Sequence, residues 1–403
     1  MDVHDHRAIG NRLDLFHQQD DAPGMVFWHP RGATLYRLLE SYIGVRMKRA
    51  GFEEVRTPQL LNLALWRQSG HAEKFGASMF RLDDGLRELA IKPMSCPGHV
   101  QIFRRRVRSY RDLPLRFCEL GACHRNEPSG ALSGLVRTRA FTQDDAHIFC
   151  REDHVEQEVA RFCALLREVY ADFGFDAFTV GFSTRPPVRA GDDAVWDHAE
   201  ASLEAAARAS SLAFRRQAGD GAFYGPKLEF LLRDSHGRQW QCGTIQLDFV
   251  LPDRLDAEYV DAHGRRVRPV MIHHAVFGSL ERFIAILLEH HRGQLPLWLA
   301  PEQVLVAAVS EREREYARAV ADAFERGGLR AVVDESSERL SRRVVTAFDR
   351  GIPAFVAVGP REVQDGTVSL RRRAGEPVTI SLQAAVDALR ADATPVRRAG
   401  SPG

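Results

Sequence analysis

The run Cys123-His124-Arg125-Asn126-Glu127-Pro128-Ser129-Gly130 is followed by Arg137-Thr138-Arg139-Ala140-Phe141-Thr142-Gln143-Asp144-Asp145-Ala146-His147. Residues 115–120 upstream are strand-like, and proline and glycine at 128 and 130 mark a turn. A strand, a polar turn and a returning strand would line up Arg125, Glu127, Arg137 and Phe141 on one sheet face. Two arginines and an aromatic beside a loop suit a nucleotide polyphosphate. The guanidinium fork matches phosphate oxygens and the ring offers a stacking face for a base. From these residues alone, a solvated, charge-rich hairpin remains the competing reading.

Outward from this hairpin, further short apolar runs lie at 52–57 (ending at Pro58), 88–92, 178–182, 227–232, 239–249 and 267–272. No helical pattern alternates regularly with them, which favours an antiparallel sheet over a βαβ wind. Pro269 lies inside the last run and predicts a short or edge strand there. Leu35, Leu38, Leu39, Tyr42 and Ile43 recur at helical spacing, so residues 32–50 read as a helix stopped by Gly51. Residues 279–290 read as another, with Leu280, Phe283, Ile284, Leu287 and Leu288 on one face. Arg282 near that helix's N-terminus opposes the helix dipole, so an anionic or aromatic ligand explains it better than helix stability does; a surface arginine is the alternative. In Ile91-Lys92-Pro93-Met94-Ser95-Cys96-Pro97-Gly98-His99, proline and glycine confine Cys96 to a tight turn. An isolated cysteine is otherwise a small buried hydrophobe.

The pattern changes near residues 294–301, where Pro296 and Pro301 bracket a short apolar stretch. Beyond it come strands at 304–309, 330–334, 353–358 and 367–371, with helices at 338–350 and 382–390. Ser310 and Glu313 fit a capping box for a further helix carrying Tyr316, Val320, Ala323 and Phe324, which Gly327-Gly328 ends. We therefore expect one domain over 1–297, a small α/β domain over 298–392 and a disordered Pro/Arg/Gly-rich tail over 393–403.

The 403 residues are 44% apolar and 27% charged, as in globular proteins. No apolar run reaches the ~18 residues of a membrane span, and the N-terminus lacks a signal-peptide pattern, so a cytoplasmic protein without a membrane partner is expected. Net charge is +1, which leaves any nucleic-acid contact to a local basic face. Nearly all basic residues are arginine; the lysines are Lys48, Lys74, Lys92 and Lys227. The six cysteines form no C-x-x-C pair, so free thiols or metal ligands are expected rather than disulfides.

Taken together, these segments resemble the threonyl-tRNA synthetases, a class II aminoacyl-tRNA synthetase family. The segment ending at Pro58 resembles class motif 1, Arg125–Glu127 motif 2 and Gly278–Phe283 motif 3. More specific are residues 92–99, 123–130 and 141–147, together with Ala222-Phe223-Tyr224-Gly225-Pro226-Lys227 and Gln241-Cys242-Gly243-Thr244. The similarity runs from Asp5 to beyond Arg371. It implies a class II antiparallel sheet flanked by helices, followed by a small α/β anticodon-binding domain.

The resemblance also implies roles. Cys96, His147 and His273 would hold zinc, with His274 a neighbour that could be mistaken for His273. Zinc would grip the amine and hydroxyl of threonine, a discrimination from valine that an apolar pocket makes poorly. Asp145 would accept the hydroxyl's hydrogen bond, while Gln143, Tyr224, Lys227 and Gln246 would position the amino acid. Arg125 would contact the α-phosphate of ATP and Arg137 the γ-phosphate. Phe141 and Arg282 would sandwich the adenine beside Glu127, with Gln241 and Thr244 nearby. Magnesium would accompany ATP, with ligands unassigned. His71 would serve the transfer step and Arg371 would touch the anticodon. The expected activity is that of a homodimeric threonine–tRNA ligase, forming threonyl-adenylate and passing threonine to the 3′ end of its tRNA. A threonine-activating relative serving a carrier protein or small molecule, and a non-catalytic regulatory relative, remain as alternatives.

Three departures bear on this expectation. The chain starts close to where the family's catalytic domain starts, so serine-editing modules are expected to be absent, and seryl-tRNA to accumulate unless another protein edits in trans. Ser336-Ser337-Glu338-Arg339 stands where the family has Arg-Asn-Glu-Lys, and Ser95 replaces a common asparagine.

Overall fold

The computed structural model describes residues 2–395. The tail expected over 393–403 lies largely outside them. Among the described residues no helix is long and apolar enough to cross a membrane. The chain divides into two compact units. One comprises residues 18–26 and 39–286; the other comprises the described residues of 1–17, 27–38 and 287–403.

The first unit is organised by an eight-stranded sheet. Its order across the sheet is Phe214–Gln217, Thr179–Ser183, Lys227–Arg233, Gln239–Asp248, Val270–Ala275, Ala140–Cys150, Leu115–His124 and Glu53–Glu54. All pairings are antiparallel except the outermost one at each edge, which is the architecture expected of these strands. The signature hairpin is its longest ladder, with Leu115↔Phe149 at one end and His124↔Ala140 at the other. Only Glu53–Glu54 of the 52–57 run joins the sheet, and residues 88–91 pair in a separate three-stranded sheet.

Pro269 leaves a short edge strand on its N-terminal side only. It divides the 267–272 run in two: Arg266–Val267 pairs elsewhere, and Val270–Ala275 lies centrally between Gln239–Asp248 and Ala140–Cys150. Proline lacks an N–H for the ladder, so it is tolerated where it precedes the strand rather than within it. Two amphipathic helices, Val155–Asp172 and Asp193–Ala209, cover part of the sheet. Helix Pro30–Arg49 ends at Gly51, whose φ of +86° suits glycine.

The loop between Val270–Ala275 and helix Leu280–His290 is pinned by a buried carboxylate. Asp144 accepts hydrogen bonds from the backbone N–H of Val276 (2.8 Å), Phe277 (2.9 Å) and Gly278 (2.9 Å). Gly278 has φ +78°, and a Cβ there would lie 2.6 Å from the Cys242 carbonyl oxygen, so only glycine fits. Burial pushes the Asp144 carboxyl up to about 7, against the pull of its N–H partners. A raised carboxyl binds more protons folded than unfolded, so this group removes stability as pH rises from about 4 to about 7. Asp144→Asn is expected to abolish that pH slope and to destabilise the unit by about 1–3 kcal/mol, because an amide N–H2 then faces a backbone N–H. Urea unfolding at pH 5 and pH 8 checks both; equal slopes in the two proteins would contradict the assignment.

The second unit contains a five-stranded sheet ordered Ala331–Asp334, Val304–Ala308, Ala354–Val358, Thr367–Arg372 and Val378–Ser381. The first three strands are parallel and the last two antiparallel to their neighbours. Val304, Val306, Val356, Phe324 and Leu389 fill one face, while Leu305, Phe355 and Ala347 fill the other. The Ser310–Glu313 capping box forms as expected. Helix Pro360–Asp365 and strand Val378–Ser381 were not foreseen.

Candidate functional site

Strand alternation assembles the site. His147 and His273 sit opposite one another on paired central strands, and their rings lie 4.6 Å apart. Cys96 opens the helix Cys96–Arg104 beside them. One ligand atom from each of Cys96, His147 and His273 lies within 4.8 Å of the other two, and all three residues are buried. His274 points to the opposite face, as its neighbour in a strand must, and packs between Phe52 and Phe162.

The surroundings orient these three residues. Asp248 is 2.8 Å from His273 Nε2, while His273 Nδ1 is buried without a hydrogen-bond partner among the described residues. His147 Nδ1 lies 2.8 Å from His99 Nδ1, and His99 Nε2 lies 3.2 Å from Glu119. Glu119 also accepts from Lys92 Nζ at 2.9 Å and from Thr57 N at 2.8 Å. Burial pushes Glu119 up, yet His99, Thr57 and Lys92 together hold it down to about 2. Partners of this kind fix imidazole tautomer and direction in metal sites. Burial raises the Cys96 thiol and lowers the His147 imidazole, so without a cation the thiol keeps its proton and the imidazole is neutral. An orphaned ring nitrogen, a neutral imidazole and a thiol that a cation would ionise together make a donor set that fits a metal ion.

His71 is also here. It is buried, with Nε2 3.1 Å from Cys96 Sγ and Nδ1 2.8 Å from Ser69 Oγ. Burial lowers it to about 3, leaving it neutral. Asp145 approaches His147 Nε2 at 3.6 Å and accepts from Ser95 N at 3.3 Å. Tyr224 stacks on His273 at 4.6 Å, and its hydroxyl donates to Gln246. Gln246 in turn donates to Thr244 Oγ1 at 3.3 Å. A Cβ on Gly121 would lie 2.6 Å from the Ser95 hydroxyl, so the glycine leaves room for it.

A cleft of 430 Å³ adjoins this cluster. The hairpin contributes Arg125, Glu127, Arg137, Phe141 and Gln143, and Tyr224, Lys227, Gln241, Thr244, Gln246 and Arg282 complete the set of sequence candidates around it. Arg125 lies over the rings of Phe141 (5.0 Å) and Phe75 (5.3 Å). Its Nε donates to the Pro93 carbonyl at 3.2 Å, and its terminal nitrogens make no hydrogen bond among the described residues. Arg137 pairs with Glu127 at 2.8 Å, and Lys227 with Glu229 at 2.6 Å. Arg282 donates to the carbonyls of Val136 (2.9 Å) and Gln241 (2.8 Å) and lies 5.8 Å from the Trp240 ring. An aromatic floor, three guanidiniums and a cation-ready cluster at one end can hold a polyanionic nucleotide beside a small polar ligand.

The sequence reading missed Trp240 and Phe75 in the cleft, and His99, Asp248 and Glu119 behind the cluster. His99 follows Cys96 by three residues, a spacing that shares one helix face and could have signalled it. The others lie on different elements and carried no local signal. Arg371 lies far along the chain in strand Thr367–Arg372, half-buried, with its Nε lacking a partner among the described residues.

This arrangement has relatives. The tRNA synthetase class II core domain (G, H, P, S and T) family matches residues 79–291, more than half of the chain. The chain belongs to the class II tRNA synthetases. Residues 303–392 match the anticodon binding domain family. A threonine–tRNA ligase of Caulobacter sp. (strain K31) is 56% identical over 393 residues, covering 97% of this chain and 60% of that protein. That of Dichelobacter nodosus is 49% identical, covering 93% of this chain and 59% of its own. This class II synthetase chain thus spans about 60% of the length of the curated relatives it matches. Its fold follows the crystal structure of the RNA binding domain of threonyl-tRNA synthetase from Cryptosporidium parvum Iowa II, with a TM-score of 0.94, 38% identity, and coverage of 98% of this chain and 99% of that one.

Proposed function

We propose that this chain activates threonine with ATP to threonyl-adenylate and transfers it to the 3′ end of threonine tRNA. The observation that carries the reading is the convergence of Cys96, His147 and His273 beside a nucleotide-sized cleft. Cys96, His147 and His273 would hold zinc, which would supply Lewis-acid binding of the amine and hydroxyl of threonine. Asp145 accepts the hydroxyl proton's hydrogen bond, and Gln143, Tyr224, Lys227 and Gln246 orient the amino acid toward the cleft. Arg125 draws the α-phosphate against the carboxylate and stabilises the charge that develops as pyrophosphate leaves. Arg137 binds the γ-phosphate after exchanging Glu127 for it. Phe141 and Arg282 bracket the base, with Gln241 and Thr244 at its edge. Magnesium accompanies the nucleotide.

His71, being neutral and buried against Cys96, holds the wall of the amino-acid pocket and serves the transfer step from there. Arg371 contacts the anticodon. We further propose domains over 1–297 and 298–392, a cytoplasmic location and a homodimer. The dimer reading is supported by an open cleft of 770 Å³ lined by Ile43, Val45, Met47, Phe52 and Leu120 beside the motif 1 strand.

The test is amino-acid-dependent ATP–pyrophosphate exchange followed by acylation. Threonine should support exchange and valine should fail by roughly 10²-fold or more, since the valine side chain leaves polar groups unpaired. Serine, which has the hydroxyl, should be activated detectably. Equal exchange with threonine and valine would overturn the reading of the site.

A further inference from the structure

We infer that Arg104-Arg105-Arg106, with Arg108 and Arg266, forms a docking surface for the phosphate backbone of an RNA strand whose 3′ end lies at the Cys96 cluster. The inference rests on the reading of the chain as an enzyme that acylates RNA. Helix Cys96–Arg104 links the two places: its first residue is a buried member of the cluster and its last is exposed. At ~1.5 Å per residue the helix spans roughly 12 Å, the rise of three or four nucleotides at about 3.4 Å each.

Just beyond the helix, strand Arg108–Ser109 pairs with Tyr259–Val260, which pairs with Arg266–Val267. This small sheet brings Arg266 beside the arginine run around an open cleft of 430 Å³. Two carboxylates, Asp256 and Glu258, share the cleft, but both are engaged. Arg268 lies 3.1 Å from Asp256 and 3.2 Å from Glu258, and Arg266 lies 3.2 Å from Glu258. Arg104, Arg105 and Arg106 make no ion pair or side-chain hydrogen bond among the described residues.

Helix stability accounts for one of them. A basic residue in the last turn complements the dipole, and Arg104 serves that purpose. Arg105 and Arg106 add adjacent like charges that repel one another, with no carboxylate paired to them among the described residues. A row of phosphates relieves that repulsion, and successive arginines in a turn fan out to meet successive anions rather than one.

The test compares the wild-type chain with Arg104→Gln/Arg105→Gln/Arg106→Gln. All three side chains are exposed, so the variant should melt at the wild-type temperature. The probe is a fluorescein-labelled RNA hairpin with a four-nucleotide 3′ single strand, followed by anisotropy over a series of salt concentrations. Binding should weaken by about tenfold or more at physiological salt, and the slope of log K against log salt should become shallower by about 2. Unchanged affinity and slope would overturn the proposal, as would a wild-type chain that binds phosphatidylserine vesicles through these arginines and ignores the hairpin. Because this readout needs no catalysis, a chain that fails in acylation defeats the proposed function while the binding series still decides the surface.

Discussion

Cys96→Ala is expected to leave the purified chain without bound zinc and without threonine-dependent pyrophosphate exchange. The cluster offers three ligands, and the thiolate is the only anionic one. Without it, two neutral imidazoles face a buried cation and neither ligand brings charge to it. Loss of a partner behind a ligand typically weakens metal binding by ~10–100-fold, so loss of the thiolate itself should exceed that. His99→Ala supplies the graded comparison, because His99 touches His147 without belonging to the cluster. It should fall in the ~10–100-fold range, with activity restored by added zinc. Metal content by mass spectrometry, read beside exchange rates, separates the two variants. A demonstrably zinc-free Cys96→Ala chain that activates threonine at full rate would remove the metal from the account of selectivity.

The three residues of the cluster were named by the family resemblance, and strand alternation explains only how two of them come to face one another. Once residues 140–150 are read as a strand, Phe141, Gln143, Asp145 and His147 must share a face, which runs from the cleft to the cluster. The same rule separates His273 from His274. What could not be anticipated depends on contacts between distant elements. Asp248 behind His273 and Glu119 behind His99 are ordinary acidic residues in sequence, and only sheet register gives them roles. Pro269 shows the limit of a local rule. It breaks the 267–272 run as proline should, but where the second half lands in the sheet depends on its neighbours, and it lands at the centre. Nor does periodicity reveal that residues 2–17 join the unit containing the C-terminal sheet; buried His6, 2.8 Å from Glu289, is a contact between the chain's two ends.

Arg125→Ala is expected to lower the rate of threonine activation by roughly 10²–10³ while leaving zinc content and threonine binding intact, the loss typical of removing one preorganised group that meets transition-state charge. The three cleft arginines are not equivalent, and their partners show why. Arg282 is committed through Nε and one terminal nitrogen to the Val136 and Gln241 carbonyls, so it holds its own position. Arg137 must first release Glu127. Arg125 is braced only at Nε, by Pro93, with Phe75 and Phe141 alongside, so its terminal fork is poised without a prior partner to displace. A preorganised donor strengthens as charge develops without reorganisation cost, so the effect should fall on kcat more than on KM. Arg125→Lys should recover only part of the rate, because an ammonium restores the charge but not the two parallel donors. If lysine restored the full rate, field strength alone would explain Arg125. If alanine raised KM for ATP with kcat unchanged, Arg125 would be a ground-state anchor, and the transition-state role would pass to Arg137 or Arg282.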